Sequence, residues 1–577
     1  NFHLGNWITT NELAMIAGLP QKDVVGLELK EEVEFGLNVA ETVKEEDRIC
    51  LGNLVQSGNV IEKQVFLDKR NLDKHLFISG VTGSGKTTTC HKILIDSGLP
   101  FLVIEPAKTE YRILSEKYED MLIFTLGKDT VAPFRLNPFE FFPHESITSR
   151  VDMILASIEA SFDMEAAIPQ LIESAIYQCY EDCGWNIASN RNSIYGASAF
   201  DDGVYAFPTL EDLVNKVDQV VEQQGFDDRL KHDYIGSIKA RLQGLMIGAK
   251  GLMLNTRRSL DFEELLRRRV VLEFEEIRSA TEKSLIMGFV LTNLIEAIKA
   301  NFQKKGAYCH ITLVEEAHRL LSKYVPGDSP NKKHGVETFS DMLAEIRKYG
   351  ESLVIVDQIP NKLTPEVLKN TNTKIIHRLF AEDDKNAVGN TIALSQEQKE
   401  FLSNLETGRA VVFTQGFHKA IQVRIDADTN TTGKKQADDS KLQKQALGFY
   451  GKNYRKGIIE GSQFWEKEPS WEEMEQLMEL SREPGLKTFL ADFCRKPSVE
   501  PENVRMLNAY VTRCEESLLA IYMVMFHYKS SPHEEERNKA GDGGKQRACI
   551  RFLKQYIEGS MTARDINEYK SEFAVRR

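Results

Sequence analysis

Leu76-Phe77-Ile78-Ser79-Gly80-Val81-Thr82-Gly83-Ser84-Gly85-Lys86-Thr87 is the stretch that decides the fold. Gly80 to Thr87 matches GxxxxGK[ST], and the match sits where such a loop must sit, directly after an apolar strand and before a helical stretch. Glycines let backbone N–H groups turn inward and approach phosphates closely, while a helix starting near Lys86 aims its positive end at them. Lys86 then reaches the β- and γ-phosphates, and the Thr87 hydroxyl takes one position on Mg²⁺. The nucleotide-binding candidates are Gly80, Thr82, Gly83, Ser84, Gly85, Lys86, Thr87 and Thr88, with ATP and Mg²⁺ as the expected cofactors.

Outward from this loop, apolar runs recur between helical stretches: Phe101 to Ile104, Met121 to Phe124, Val270 to Phe274, Ile311 to Val314, Leu353 to Val356 and Lys374 to His377. Strands apolar on both faces and separated by helices predict a mostly parallel sheet with helices on both sides, an α/β core of the RecA-like P-loop type. That core is placed at 71–425, with a helical insertion at about 146–256, where Ile154, Leu155 and Ile158, then Leu171, Ala175 and Ile176, fall at helical spacing. Upstream, Val24 to Leu27, Val33 to Leu37 and Ile49 to Leu51 alternate with Gly and charged residues, which predicts a small N-terminal β-barrel-like domain over 1–70. The chain starts at Asn1 without Met, which leaves open whether that domain is whole. Residues 426–445 read as a polar linker and 446–577 as a C-terminal helical domain. In that domain Ser470 to Glu473 has the form of a capping box, and Val511, Cys514, Leu518, Ile521, Tyr522 and Met525 form one apolar face.

The 577 residues, 42% of them hydrophobic, are enough for two to four domains. No uninterrupted apolar run reaches the roughly 18 residues needed to cross a bilayer, and the start lacks signal-peptide character, so the expectation is a cytoplasmic protein without a membrane partner. Eight cysteines lack the paired spacing of a zinc site and read as reduced thiols. A net charge of -13 excludes a generally basic surface but leaves room for a basic channel.

Ile311 to Val314 runs into Glu315-Glu316-Ala317-His318, which places two carboxylates at the tip of a buried strand, the edge where ligands of parallel sheets bind. Adjacent strand residues face opposite ways, so the acids are expected to divide the work. Glu315 holds the Mg²⁺ shell and Glu316 orients and deprotonates the attacking water. His318 reads as a hydrogen-bonding spacer, because no Cys or His partner stands at metal-ligand spacing.

Taken in order, Arg48 to Gly52, the P-loop, Ile104 to Tyr111, Glu315 to His318, Arg347-Lys348-Tyr349-Gly350 and Val356-Asp357-Gln358 resemble the HerA/FtsK superfamily, and within it the HerA-like DNA translocases, over roughly Asp23 to Ile425. The resemblance implies an ATPase working as a homo-hexameric ring with double-stranded DNA in its pore, and an effector partner, either a nuclease or an NAD-consuming, sirtuin-like protein. It implies that Gln358 senses the γ-phosphate and that Arg347 acts as an arginine finger toward a neighbouring subunit. The sequence departs from the family where a further arginine often stands, three residues before Arg347, since Ala344 is there. Arg378 is a second finger candidate. Glu105 and Glu110 match acidic family positions that support the water or Mg²⁺ shell, and an N-cap or a local ion pair explains either as well. Lys239, Arg241, Lys250, Arg257, Arg258 and Arg267 to Arg269 are consistent with a DNA-tracking surface or with solvated helix faces. The leading expectation is a DNA-translocating motor in end processing or anti-phage defence. The alternative is a scaffold ATPase ring that assembles and activates its effector, with ATP as a regulatory ligand. A membrane-associated secretion or conjugation ATPase is disfavoured for want of a membrane segment.

Overall fold

Successive residues of a strand face opposite sides of a sheet, and this chain is apolar on both. Leu76, Ile78, Phe101, Val103, Ile311, Leu313, Val354 and Val356 belong to one core cluster, while Phe77, Leu102, Ile104, Val314, Leu353 and Ile355 belong to the other. A strand of this pattern is stable only with helices on both faces. The structure is a computed structural model that describes residues 9–17, 33–39, 43–164, 167–306, 309–426, 437–459, 462, 468–482 and 486.

Its strands, in chain order, are β1 (Arg48–Gln56), β2 (Asn59–Asp68), β3 (Leu76–Ser79), β4 (Phe101–Glu105), β5 (Leu122–Thr125), β6 (Trp185–Asn186), β7 (Arg191–Asn192), β8 (Arg269–Glu273), β9 (His310–Glu315), β10 (Glu351–Asp357), β11 (Thr373–Ile376), β12 (Arg409–Phe413) and β13 (Ile421–Ile425). Eleven of them form one sheet in the order β2-β1-β13-β12-β11-β3-β10-β9-β4-β8-β5, and β6 pairs only with β7. From β11 to β5 every pairing is parallel, so the carboxyl ends of seven strands share one edge. The Gly80–Thr87 loop leaves β3 there, between the ends of its neighbours β10 and β11.

The N-terminal expectation is corrected in part. β1 and β2 do not close a separate barrel among the described residues; they extend the main sheet antiparallel, with Gly52 opposite Ile425. A hairpin of short β-type runs reads the same whether it closes on itself or extends an edge, and here β13 offers the free edge. Phe35 packs on Phe401 with ring centroids 5.9 Å apart, outside any strand, and Val24 to Leu27 lies outside the described residues.

Between β5 and β8 the chain runs through the helices Ile147–Ser161, Ile168–Asp182, Leu210–Gln223, Asp228–Leu245 and Ala249–Leu254, with the β6–β7 pair among them. One helix, Ala280–Lys305, is long and apolar enough by composition to cross a membrane, yet 89% of its most apolar window is buried inside the protein. It is a core helix covering one face of the sheet.

The linker expectation is also corrected. A helix, Asp439–Asn453, begins inside 426–445, capped by the Asp438 side chain, which accepts from the Lys441 N–H. Its Leu442, Ala446, Phe449 and Tyr450 are buried, and Phe449 meets Phe124 of β5 edge-on at 6.2 Å. The apolar residues of this stretch were hidden between Lys and Gln, and the helix is part of the core's packing. The capping box at Ser470 is present, with the Ser470 N–H donating to Glu473 Oε2 at 2.7 Å. The apolar face from Val511 to Met525 lies outside the described residues.

Candidate active site

Three glycines set the loop's path: Gly80, Gly83 and Gly85 have φ of 156°, 77° and 111°. At Gly80 a Cβ would stand 2.6 Å from His377 Cβ and 2.7 Å from Ser84 Oγ, so no other residue fits that turn unstrained. The loop is also tied from behind. Val81 N–H donates to the Arg378 carbonyl at 2.9 Å, and Gly408 N–H donates to the Ser84 carbonyl at 3.0 Å. His377 stands behind it, bonded to Thr89 Oγ1 at 2.8 Å and the Arg409 carbonyl at 3.1 Å. Burial pulls its imidazole down to about 4, so it stays neutral at ordinary pH.

The helix Lys86–Ser97 starts at Gly85 with no side-chain cap. Its first N–H groups therefore face the loop, which is the arrangement that attracts an anion. The Lys86 ammonium is folded into the loop, donating to the Gly80 carbonyl at 2.5 Å and the Val81 carbonyl at 3.0 Å. Burial lowers its pKa, opposed by the nearby Glu315 carboxylate. A half-buried cation held by two neutral carbonyls fits a phosphate group. Thr87 Oγ1 donates to Glu110 Oε2 at 2.6 Å, so a hydroxyl and a carboxylate already lie together beside the loop, the hard oxygen donors that suit Mg²⁺. Ser84 is buried with its hydroxyl on the Val81 carbonyl, Thr82 reaches across the site, and Thr88 is exposed. The residues present fit a nucleoside triphosphate with its divalent cation.

Four further elements close on this loop. Gln358, just past β10, accepts from Thr82 Oγ1 at 2.9 Å, which joins the expected γ-phosphate sensor to the P-loop. Glu315 ends β9, and its Oε1 accepts from the Tyr111 hydroxyl at 2.8 Å. Burial raises the Glu315 pKa, and that phenol bond opposes the rise. From β4, the fully buried Glu105 accepts the Glu110 N–H at 2.7 Å, while its other oxygen has no hydrogen-bond partner among the described residues. Desolvation pushes Glu105 up to about 9, with Glu315 and Glu273 adding to the effect. Glu110 is the opposite case. Burial works against ionisation, but hydrogen bonds from Lys108 and Thr87 hold it below the usual carboxylate range. Two acids five residues apart are thus a neutral carboxyl and a carboxylate.

Glu316 departs from the expected geometry. It does not continue the strand's alternation; its φ of 48° and ψ of 44° turn the chain left-handed out of β9. The turn points its carboxylate at Arg319, whose Nε and Nη2 both reach Oε2, at 2.6 and 2.5 Å. A backbone turn, instead of a pleat, sends the two carboxylates to different partners, Tyr111 and Arg319. His318 is the spacer its sequence setting implied: its N–H and its Nδ1 bond the Asp357 carboxylate at the end of β10 at 2.9 and 2.8 Å, locking the two strand ends together.

Arg347 is not at this edge. It is exposed in the short turn Ile346–Tyr349, before the first residue of β10, whereas Gln358 follows the last. Arg378 lies beside its own loop, with its guanidinium 5.5 Å over the Phe380 ring. The eight basic residues considered for DNA are mostly committed within the chain. Lys239 pairs with Asp218 and Lys250 with Glu282, Arg257 with Asp212, Arg267 and Arg268 with Glu264, and Arg269 with Asp120. Arg258 is 3% exposed on Glu140, and Arg241 turns back on Ser237. They form no free basic stripe.

Sequence reasoning missed Tyr111 and Arg319 as parts of the site. Arg319 stood three residues from Glu316, a spacing at which two side chains meet in a turn; Tyr111 carried no signal beyond its place in the Ile104–Tyr111 segment.

No protein-family model matches the chain. It is 32% identical over 145 residues to the DNA double-strand break repair helicase HerA of Sulfolobus acidocaldarius, an alignment spanning 24% of this chain and 28% of that one. It is 26% identical over 418 residues to the probable DNA double-strand break repair helicase HerA of Methanocaldococcus jannaschii, spanning 66% of this chain and 76% of the relative. The fold matches VirB4 of Thermoanaerobacter pseudethanolicus with a TM-score of 0.50 and 16% identity, over 67% of this chain and 99% of that one. The phosphate loop and the sheet order agree with these likenesses, and the chain resembles P-loop ATPases of the HerA/FtsK type.

Proposed function

We propose that this ATPase is the motor subunit of a homo-hexameric ring that moves along double-stranded DNA and works with an effector, a nuclease or an NAD-consuming, sirtuin-like protein. The observation that carries the reading is the separation of Arg347 from the rest of its catalytic set. The P-loop, Glu315, Glu316 and Gln358 share one edge of the sheet, while Arg347 stands exposed at the far end of the seven-residue β10. At about 3.3 Å per residue, the strand puts roughly 20 Å between Arg347 and its own site. An arginine placed there serves a site only on another copy, so hydrolysis is coupled between subunits, as a ring motor requires.

Each group has a defined task. Loop amides and Lys86 hold the phosphates, and Lys86 exchanges its two carbonyl partners for them. Thr87 and Glu315 hold the metal shell; Mg²⁺, when bound, neutralises charge on the β- and γ-phosphates. Glu316, once released from Arg319, takes the proton of the attacking water, and Gln358 links the γ-phosphate position to Thr82 and so to the loop.

The names of the relatives support DNA as the track. A triplex-displacement assay tests the proposal: the chain should strip a third strand from duplex DNA only when ATP is hydrolysed. Hydrolysis that does not rise with duplex DNA, with the third strand left bound, would favour the scaffold reading instead.

A further inference from the structure

We propose that Tyr111 is the positioning residue for the metal-binding carboxylate Glu315, its phenol tying that carboxylate to the helix that begins at the phosphate loop. The inference rests on the reading of Glu315 as the Mg²⁺-side acid.

Tyr111 is 0% exposed and follows Glu110 in the turn Glu110–Glu116. Its hydroxyl donates to Glu315 Oε1 at 2.8 Å, the one hydrogen bond to that carboxylate among the described residues. The same hydroxyl meets the thiol of the fully buried Cys90, one turn beyond Thr87 on the helix Lys86–Ser97. The ring is clamped edge-on by His91, with centroids 5.0 Å apart at 78°. One side chain therefore touches both the P-loop helix and the tip of β9. A glutamate at a strand end has three side-chain torsions, and fixing Oε1 restricts them. Preceding it in the chain, Glu110 bonds the Thr87 hydroxyl itself, so adjacent residues orient the two protein groups expected in the metal shell. Groups bonded behind a metal ligand typically change metal affinity or activity by about 10- to 100-fold when removed.

Tyr111→Phe keeps the ring and its packing and removes only the hydroxyl. In the full-length chain, ATP hydrolysis is titrated with Mg²⁺ and again with Mn²⁺, and binding of a fluorescent ATP analogue is measured in EDTA. The expected result is a half-activating Mg²⁺ concentration raised about 10-fold, with metal-free nucleotide affinity unchanged. Unchanged metal dependence overturns the proposal, and so does an equal loss of metal-free binding, which is what a packing role would give. Glu315→Ala supplies the second arm. Metal dependence should shift in Glu315→Ala, and adding Tyr111→Phe to it should change nothing more; an additive effect overturns the proposal. If Glu315→Ala leaves the Mg²⁺ titration unmoved, the assignment of Glu315 is what has failed. If it shifts the titration and Tyr111→Phe does not, only the positioning role has failed.

Discussion

Arg347→Ala is predicted to bind ATP as the parent does and to hydrolyse it slowly only in the assembled ring. The turn carrying Arg347 precedes β10, and Gln358 follows it, so the strand holds the guanidinium roughly 20 Å from its own phosphate loop at about 3.3 Å per residue. No rotamer of one arginine spans that distance. On the proposed reading its role in hydrolysis is at a neighbour's site, where an arginine finger contributes on the order of 10³ to 10⁵ in rate. Mixing then becomes decisive. In a ring made from equal parts Arg347→Ala and Glu316→Gln protomers, about one interface in four joins an intact Glu316 to an intact Arg347, because each interface takes the acid from one copy and the arginine from the next. Steady-state ATPase should return to about a quarter of the parent rate, far above either variant alone. Rings of parent and Glu316→Gln protomers serve as the control for firing that must pass through every subunit. If those rings keep graded activity while demonstrably mixed Arg347→Ala and Glu316→Gln rings stay at background, the intersubunit role of Arg347 is refuted.

Glu316→Gln should retain ATP binding and lose hydrolysis, since the amide keeps the shape but cannot accept the water's proton; a nucleotide-binding titration beside a phosphate-release assay checks it, and loss of Mg²⁺-dependent binding here but not in Glu315→Gln would exchange the two roles. Glu105 has a folded-state pKa of about 9 against an ordinary 4.5, so between these values the folded chain keeps a proton that the unfolded chain has released. Stability from this group is therefore present below about pH 4.5 and falls as pH rises toward 9. Glu105→Gln, neutral at every pH and still able to accept the Glu110 N–H, should raise the melting temperature at pH 8 and flatten its decline between pH 5 and 9; an unchanged slope by calorimetry counts against a neutral buried Glu105.

What could be read from the sequence follows from where the information is local. Strands such as Phe101–Glu105 and Ile311–Val314 announce themselves because burial on both faces leaves no polar alternation. The phosphate loop is legible because glycines with positive φ and a following helix are properties of a dozen consecutive residues. Gln358 is implied by the family resemblance, and its place after an apolar strand puts it at the carboxyl edge; the same logic places Arg347 at the opposite edge, a step available from chain order alone. The rest depends on contacts between distant residues. Whether β1 and β2 close a barrel or extend a sheet is decided by β13, more than 350 residues away. The helix Asp439–Asn453 hides its four core residues among Lys and Gln. Glu316 reads as a strand residue until the left-handed turn hands it to Arg319, and Tyr111 gains its role only when β9 lies beside the P-loop helix.

The most direct test of the account is ATP turnover by the purified chain with and without double-stranded DNA, for the parent and for Lys86→Ala. Removing the ammonium leaves the phosphate charge uncompensated in a partly buried loop. The account predicts parent turnover that climbs steeply with duplex DNA, and Lys86→Ala at background under both conditions. Parent turnover indifferent to DNA, or Lys86→Ala turning over near the parent rate, would contradict it.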